Sequence, residues 1–362
     1  MSTPRFFTLK VSDVRRETSD CVSVALEVPS SLESVFKFVP GQYITFRKKV
    51  KDEEVRRSYS ICSGVNDGEL RVAIKKIENG KFSSFANDEL KAGDVLDVMP
   101  PMGTFISRNK EGKDQNYLAF AAGSGITPIL SIMKSVLENE PGSTFSLVYG
   151  NRGRNSVIFR EAIEALKNTY MGRVKLYHIL SREYVDVEIF SGRIDANKCN
   201  ELCASLIDLK TIDEVFLCGP ESMVLTVKEE LSKSGMAADK IHLELFTTPD
   251  AAKASAGKTE KDTDTNKGAM SKVTITLDGT TFDMEVPFKG ESILDAALRN
   301  GADLPYACKG GVCCTCRARV MEGEVHMEVN YALEHDEVEK GFVLTCQSHP
   351  RTERVIIDFD ER

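Results

Sequence analysis

No run of apolar residues in this 362-residue sequence is long enough to cross a bilayer as a helix, which excludes a helical membrane protein. Excess basic charge is also missing. With 47 Lys/Arg against 55 Asp/Glu the net charge is −8, and such a balance argues against a nucleic-acid partner. No Cys-x-His pair of the Rieske kind occurs, nor a Glu-x-x-His set of the diiron kind, so neither oxygen-activating centre is expected in the chain. Val72-Ala73-Ile74-Lys75 imitates a kinase strand, but no catalytic loop or magnesium motif follows it. There is no internal repeat. The opening residues, Met1-Ser-Thr-Pro-Arg-Phe-Phe-Thr, lack the apolar core and cleavage site of a secretory leader. A reducing cytoplasm is therefore the expected setting, and the ten cysteines are expected to be thiols rather than disulfides.

What is present is long enough for about two to three domains, with a globular 41% of hydrophobic residues. Up to residue 111, short alternating segments such as Ser23-Val-Ala-Leu-Glu-Val are broken by Pro40-Gly41, Asp67-Gly68, Gly93-Asp94 and Pro100-Pro101, the pattern of an antiparallel β-barrel. From 112 to 246 strands alternate with helical stretches, as in an α/β doubly wound parallel sheet. Residues 247–271 hold no aromatic and no Val, Ile or Leu. They are expected to form a flexible linker, either a plain tether or an arm that lets the following unit swing. From 272 to 362, two alternating segments about Asp278-Gly279 signal a hairpin, Ser292 opens a helix, and a last strand begins near Arg354: a compact α+β unit. This last stretch carries 10 Lys/Arg against 17 Asp/Glu and is the acidic end of the chain, suited to docking on a basic protein surface.

Within that unit Cys308-Lys-Gly-Gly-Val-Cys313-Cys314-Thr-Cys316, followed by Cys346, reproduces the C-x4-C-x2-C…C spacing of a plant-type 2Fe-2S centre. Cys308, Cys313, Cys316 and Cys346 are the expected ligands. Gly310 and Gly311 would let the backbone turn its amides onto the sulfurs. A zinc ribbon would repeat a C-x2-C pair, and here the second end supplies one cysteine. Cys314 fits no ligand spacing and is read as a neighbour of the cluster.

Three further segments point to nucleotides. After a strand at Tyr117, Gly123-Ser-Gly125-Ile-Thr127-Pro128 makes a tight turn into a helix, able to aim amides at a diphosphate. Cys218-Gly219-Pro220 leaves another strand where ligands of such sheets bind, although a buried cysteine there would need no ligand. In the barrel stretch Arg57 and Tyr59 share a strand face beside Ser60, a cation and an aromatic plane suited to a flat diphosphate cofactor. Gly80-Lys81-Phe82-Ser83 is a second anion-binding turn before a helix.

In order, Arg57-x-Tyr59-Ser60, Gly80-x-x-Ser83, Pro101-x-Gly103-x-Phe105, Gly123-x-Gly125-Ile-Thr-Pro128, Cys218-Gly-Pro220 and Glu244-x-Phe246 resemble the ferredoxin-NADP reductase superfamily. The stretch from Asp303 to Cys346 resembles a plant-type ferredoxin, whose fold is a β-grasp. Reductases of bacterial oxygenases share this order. The resemblance implies three roles in sequence: an FAD-binding barrel, an NADP-binding sheet and a 2Fe-2S domain. Arg57, Tyr59, Ser60, Gly80, Phe82 and Ser83, with Lys75 nearby, would bind FAD, and Phe246 would cover its other face. Gly123, Gly125, Thr127 and Gly219 would receive the dinucleotide diphosphate, while Ser60, Cys218 and Glu244 would orient nicotinamide and flavin at the point of transfer. Ser181 and Arg182 resemble the pair that grips the 2′-phosphate, which favours NADPH; the adjacent Glu183 leaves NADH open. The function implied is an electron-transfer reductase delivering to a partner oxygenase. The alternatives are a general ferredoxin-type donor and, from another class, a redox-sensing or interaction protein.

Overall fold

The computed structural model describes residues 5–50, 53–109, 113–246 and 270–361. Two compact units emerge: one formed by Phe7–Val55 with Tyr59–Phe246, the other by the C-terminal chain together with the N-terminal residues and Arg56–Ser58. The expected linker, 247–271, lies outside the described residues except for Met270 and Ser271, which begin a strand.

The larger unit starts with a six-stranded sheet made of β1 (Phe7–Thr18), β2 (Cys21–Glu27), β3 (Tyr43–Val50), β4 (Glu53–Ser60), β5 (Leu70–Lys75) and β6 (Val95–Met102), in the order β4-β3-β6-β1-β2-β5. Just beyond β4, Ile61 bridges antiparallel to Val72 of β5, and Cys62 N–H donates to Arg71 O, so the two edges meet and the sheet closes into a barrel. Its core is filled by Leu9, Val24, Ile44, Phe46, Val72, Ile74, Phe82 and Val98. Those on the strands are the inward positions of alternating segments.

The second sheet consists of β7 (Asn116–Ala122), β8 (Thr144–Asn151), β9 (Val174–Leu180), β10 (Glu214–Gly219) and β11 (Ile241–Leu245), all parallel, in the order β11-β10-β7-β8-β9. Helices cover both faces, so Leu118 to Ala121 and Val215 to Cys218 are uninterruptedly buried runs. The strand order reverses between β7 and β10, and the register places Ala122 beside Gly150, Asn151 beside Leu180, and Cys218 beside Glu244. One row of strand ends thus lines the edge where ligands of such sheets bind. Barrel and sheet are pinned together: Ser131 Oγ donates to Ser63 O at 2.7 Å, and buried Glu214 accepts from Ser107 Oγ and the Arg108 N–H.

In the smaller unit β12 (Met270–Leu277) and β13 (Thr280–Pro287) form a hairpin whose turn residues, Asp278 and Gly279, have φ of 50° and 70°, the geometry that an Asp-Gly pair favours. The helix Ile293–Arg299 is capped by Ser292, whose Oγ accepts from the Asp295 N–H. β14 (Arg317–Glu322), β15 (Val325–Met327), β16 (Phe342–Leu344), β17 (Ser348–Pro350) and β18 (Arg354–Asp358) complete a mixed sheet, β13-β12-β18-β14-β16, with a β15-β17 ladder beside it. β12 and β18 run parallel at its centre, with the helix packed over the core. This is the β-grasp arrangement. Among the described residues no helix is long and apolar enough to cross a membrane.

Candidate functional site

Three side chains distant in sequence meet where the barrel touches the parallel sheet. Ser60 ends β4, Cys218 lies in β10, and Glu244 stands opposite it in β11. Ser60 Oγ donates to Glu244 Oε2 at 3.0 Å, and Cys218 Sγ lies 4.0 Å from the same oxygen. Burial pushes the Glu244 carboxyl up to about 8, although the Ser60 hydroxyl pulls it down. Burial, then the Glu244 charge, pushes the Cys218 thiol well up. At neutral pH the junction presents a carboxylic acid, a thiol and a hydroxyl, all uncharged. Such a set can orient a polar heteroaromatic ring but offers no strong nucleophile.

Beside Ser60 the half-buried Tyr59 ring packs against Phe82 at 5.7 Å and Phe46 at 6.0 Å. Phe82 is 1% exposed, so its ring supports Tyr59 from within the barrel, and only its backbone could reach a ligand. Ser83 is equally committed, its Oγ accepting from the Ile77 N–H. Gly80 is needed for space: a Cβ there would lie 2.3 Å from Ser83 Oγ. Arg57 turns one guanidinium N–H to the Arg56 carbonyl at 2.8 Å.

Along the row of strand ends runs a cleft of about 790 Å³, lined among others by Gly123, Asn151, Ser181, Arg182, Gly219 and Phe246. Of the expected diphosphate turn, only Gly123 and its neighbour Ser124 reach this lining. Gly125 is buried because a Cβ there would fall 2.2 Å from Cys218 O; it seats the helix Ile126–Asn139 on β10. Thr127 is buried too, its Oγ1 donating to Ser124 O at 3.0 Å and closing the turn. Lys75, expected near FAD, lines this cleft together with Phe246 and pairs with Asp20 at 3.6 Å. Phe246 is half exposed at the end of the row.

Sequence reasoning missed Arg152 and Arg193, which join Arg182 and Lys75 in making the cleft basic, and Asn151, whose buried Nδ2 has no hydrogen-bond partner among the described residues. Arg152 and Asn151 stand at the end of β8, and the rule that led to Gly123 and Cys218 would have found them. Among the described residues the one acid lining the cleft, Asp195, is occupied in capping the helix Ala196–Ser205 through the Lys198 N–H. Glu183, whose position next to Arg182 left the phosphate reading open, accepts from the Arg154 N–H at 2.7 Å and pairs with Arg154 Nε at 3.1 Å. A basic cleft with an orphaned amide donor fits a dinucleotide.

In the smaller unit the cysteine loop brings its expected ligands together. Cys308 and Cys313 Sγ are 3.1 Å apart, and sulfur contacts link Cys346 to both Cys308 and Cys316. The Cys308 contact and burial push the Cys313 thiol well up, so its deprotonation needs a neighbouring cation. The left-handed residues are Lys309 and Gly311, at φ of 51° and 72°, not Gly310; Gly310 instead donates its N–H to Cys308 Sγ at 3.3 Å. A Cβ on Gly311 would lie 2.9 Å from Val329 O. Cys314 turns away, its Sγ donating to Ala332 O at 3.3 Å. Among the described residues no group of three or more His, Cys, Asp or Glu side chains has the geometry of a single-ion site. The four sulfurs form a chain of contacts around the loop, with an N–H aimed at one of them, which fits a bridged iron-sulfur cluster.

The oxidoreductase FAD-binding domain family matches residues 8–106, the oxidoreductase NAD-binding domain family 120–229, and the 2Fe-2S iron-sulfur cluster binding domain family 275–351. The chain is 44% identical to one of the subunits of 1,2-phenylacetyl-CoA epoxidase from Escherichia coli K12, over 99% of its own length and 98% of the relative's. It belongs to this family of FAD- and NAD-binding reductases with a 2Fe-2S domain. Another member of similar length is the ferredoxin reductase component of 3-ketosteroid-9-alpha-monooxygenase from Rhodococcus rhodochrous, 33% identical over 98% of this chain and 97% of that one. Phthalate dioxygenase reductase shares the fold, with a TM-score of 0.60 at 23% identity and 98% coverage of both chains. As a family member the protein is an NAD(P)H-dependent electron-transfer oxidoreductase that uses FAD and a 2Fe-2S cluster.

Proposed function

We propose that this reductase takes electrons from NADPH and delivers them singly, from a cluster held by Cys308, Cys313, Cys316 and Cys346, to the oxygenase component of a phenylacetyl-CoA epoxidase, in the cytoplasm. The reading of the acceptor rests on the full-length identity to a polypeptide of that epoxidase. The observation that carries the reading of the entrance is the cleft in which Arg152, Arg182 and Arg193 converge while Glu183 is held by Arg154.

FAD supplies the conversion that the circuit requires, accepting a hydride and releasing electrons one at a time. The chain's own residues position the partners. Arg57 would balance the FAD diphosphate, the N–H groups of Lys81 to Ser83 at the helix start would face its phosphates, with the Gly80 N–H held by the Ile77 carbonyl, and Tyr59, braced by Phe82, would lie along the ring. Gly123, Ser124 and Gly219 would pass the backbone close to the nicotinamide nucleotide's diphosphate, while Ser181 and Arg182, with Arg152, would hold its 2′-phosphate. Phe246 would occupy the ring's open face until nicotinamide arrives. Ser60, Cys218 and Glu244 would hold the nicotinamide edge against the flavin and exclude water.

The neutral state of Glu244 makes this arrangement depend on pH. With the carboxyl at about 8 rather than its ordinary 4.5, the folded protein keeps a proton that the unfolded chain releases. Stability contributed by that protonated group is complete below pH 4.5 and declines until about pH 8. Glu244→Gln should therefore flatten thermal stability across this window. The rate of flavin reduction in the wild-type protein should fall as pH rises through about 8, and the substitution should remove that fall. A stopped-flow pH profile with the same limb in both proteins would count against Glu244 as the titrating group.

The acceptor is tested by mixing the purified protein and NADPH with the candidate oxygenase components and identifying the product. Epoxidation of phenylacetyl-CoA at a rate proportional to reductase supports the reading. A coupled product from a different diiron or Rieske oxygenase, with none from the epoxidase, would replace it.

A further inference from the structure

Gln347 follows Cys346 and sends its side chain back beneath the cysteine loop. The amide Nε2 donates to Lys309 O and to Cys346 O, both at 3.0 Å, and lies 3.7 Å from Cys346 Sγ. Its stem fills the space under Gly311, where a Cβ would come within 3.3 Å of Gln347 Cγ. Its own backbone is fixed from outside the loop, since Gln347 O accepts from the Glu328 N–H at 2.9 Å.

These contacts act on the loop at its least favourable point. Lys309 has a side chain yet adopts φ of 51°, a region that Cβ makes unfavourable. That left-handed turn directs the next amide, Gly310 N–H, at Cys308 Sγ. Lys309 is gripped on two sides: its carbonyl by Gln347 and its Nζ by Asp295, at 2.7 Å, on the helix Ile293–Arg299. One amide group therefore acts at two ligand sulfurs: its N–H dipoles lie 3.7 Å from Cys346 Sγ, and through Lys309 it holds the donor at Cys308.

One-electron reduction of a cluster adds negative charge that is shared by its sulfurs. N–H dipoles pointing at those sulfurs stabilise the added charge and raise the reduction potential. We propose that Gln347 is a positioning residue that sets the potential of the 2Fe-2S centre by holding these donors in place. The proposal rests on the assignment of Cys308 and Cys346 as ligands. Its chemistry is local to the smaller unit and independent of which protein accepts the electron.

The test is a potentiometric titration of the full-length holoprotein, followed by the electron paramagnetic resonance signal of the reduced cluster, with iron content measured alongside. Gln347→Met keeps the unbranched length and removes both N–H donors; Gln347→Leu removes them with a different shape. Both should retain iron and shift the midpoint to more negative values, with unchanged flavin reduction by NADPH. An unchanged midpoint in iron-loaded Gln347→Met or Gln347→Leu would overturn the proposal. So would loss of iron from both variants, which would make Gln347 a support for the loop alone. Cys346→Ser, run in parallel, separates the underlying assignment: full iron and a native midpoint there would refute the ligand set, whatever Gln347 does.

Discussion

Cys313→Ser should yield a protein that still bleaches its flavin with NADPH but delivers nothing to a protein acceptor. Cys313 is buried with its sulfur 3.1 Å from Cys308, and serine oxygen is a poor substitute for thiolate at iron. Iron content should fall to near zero. Reduction of ferricyanide, which takes electrons from flavin directly, should stay within about 2-fold of wild type, while transfer to the oxygenase should drop by at least about 10²-fold, because the single-electron outlet is gone. Iron assay, ferricyanide turnover and coupled oxygenase turnover on one preparation check this. A parallel loss of ferricyanide activity would mean that the flavin depends on the cluster, contrary to the family matches, which fall on separate stretches of the chain. Cys314→Ser is the internal control. Its sulfur faces Ala332 O, so it should keep its iron.

The second large effect concerns the entrance. Arg182→Glu should lower kcat/KM for NADPH by about 10- to 100-fold, the loss of one or two charge-assisted hydrogen bonds, while leaving that for NADH nearly unchanged. Arg152 lines the same cleft and should share the phosphate, so the double variant should approach equal use of both nucleotides. The pairing of Glu183 with Arg154 matters here: a carboxylate free to face the ribose would favour NADH, and this one is engaged elsewhere. Steady-state kinetics with both nucleotides decide the matter. An unaltered NADPH preference in Arg182→Glu would remove this residue from the site.

The first prediction begins with cysteine spacing, which was legible, whereas Ser181 and Arg182 behind the second came from family resemblance; the legible features were short-range in sequence. Four cysteines at fixed spacing, an Asp-Gly turn between alternating segments, and a glycine turn between strand and helix each constrain a few neighbouring residues, so composition alone exposes them. Cys218 was marked by its place at a strand end and Ser60 by its place beside Tyr59, but Glu244 and the joint role of the three came from family resemblance. Their contact needs β4 against the sheet and β11 in register with β10, which no local pattern dictates. The inward turn of Gly125 and Thr127 was hidden for the same reason: the motif marks a tight turn but does not say whether its glycine faces a ligand or the next strand, and Cys218 O decides. Arg152 and Arg193 carry no local signal: the first follows the end of β8, and the second follows Ser191, which only the fold brings beside Leu180 at the end of β9. The left-handed residue at Lys309 was missed because glycine is the usual choice there, and the fixing contact comes from Gln347, far along the chain.

The central claim is that electrons enter at the nicotinamide cleft, pass through FAD and leave singly from the cysteine centre. It is tested most directly by anaerobic stopped-flow mixing of the holoprotein with NADPH in the absence of any acceptor, with rapid-freeze paramagnetic resonance on matched samples. The account predicts that flavin absorbance falls first and that the reduced 2Fe-2S signal rises afterwards, with both phases retained in Cys314→Ser and only the first in Cys313→Ser. Complete flavin reduction with no cluster signal in the wild-type protein, or a cluster signal that precedes flavin bleaching, would contradict it.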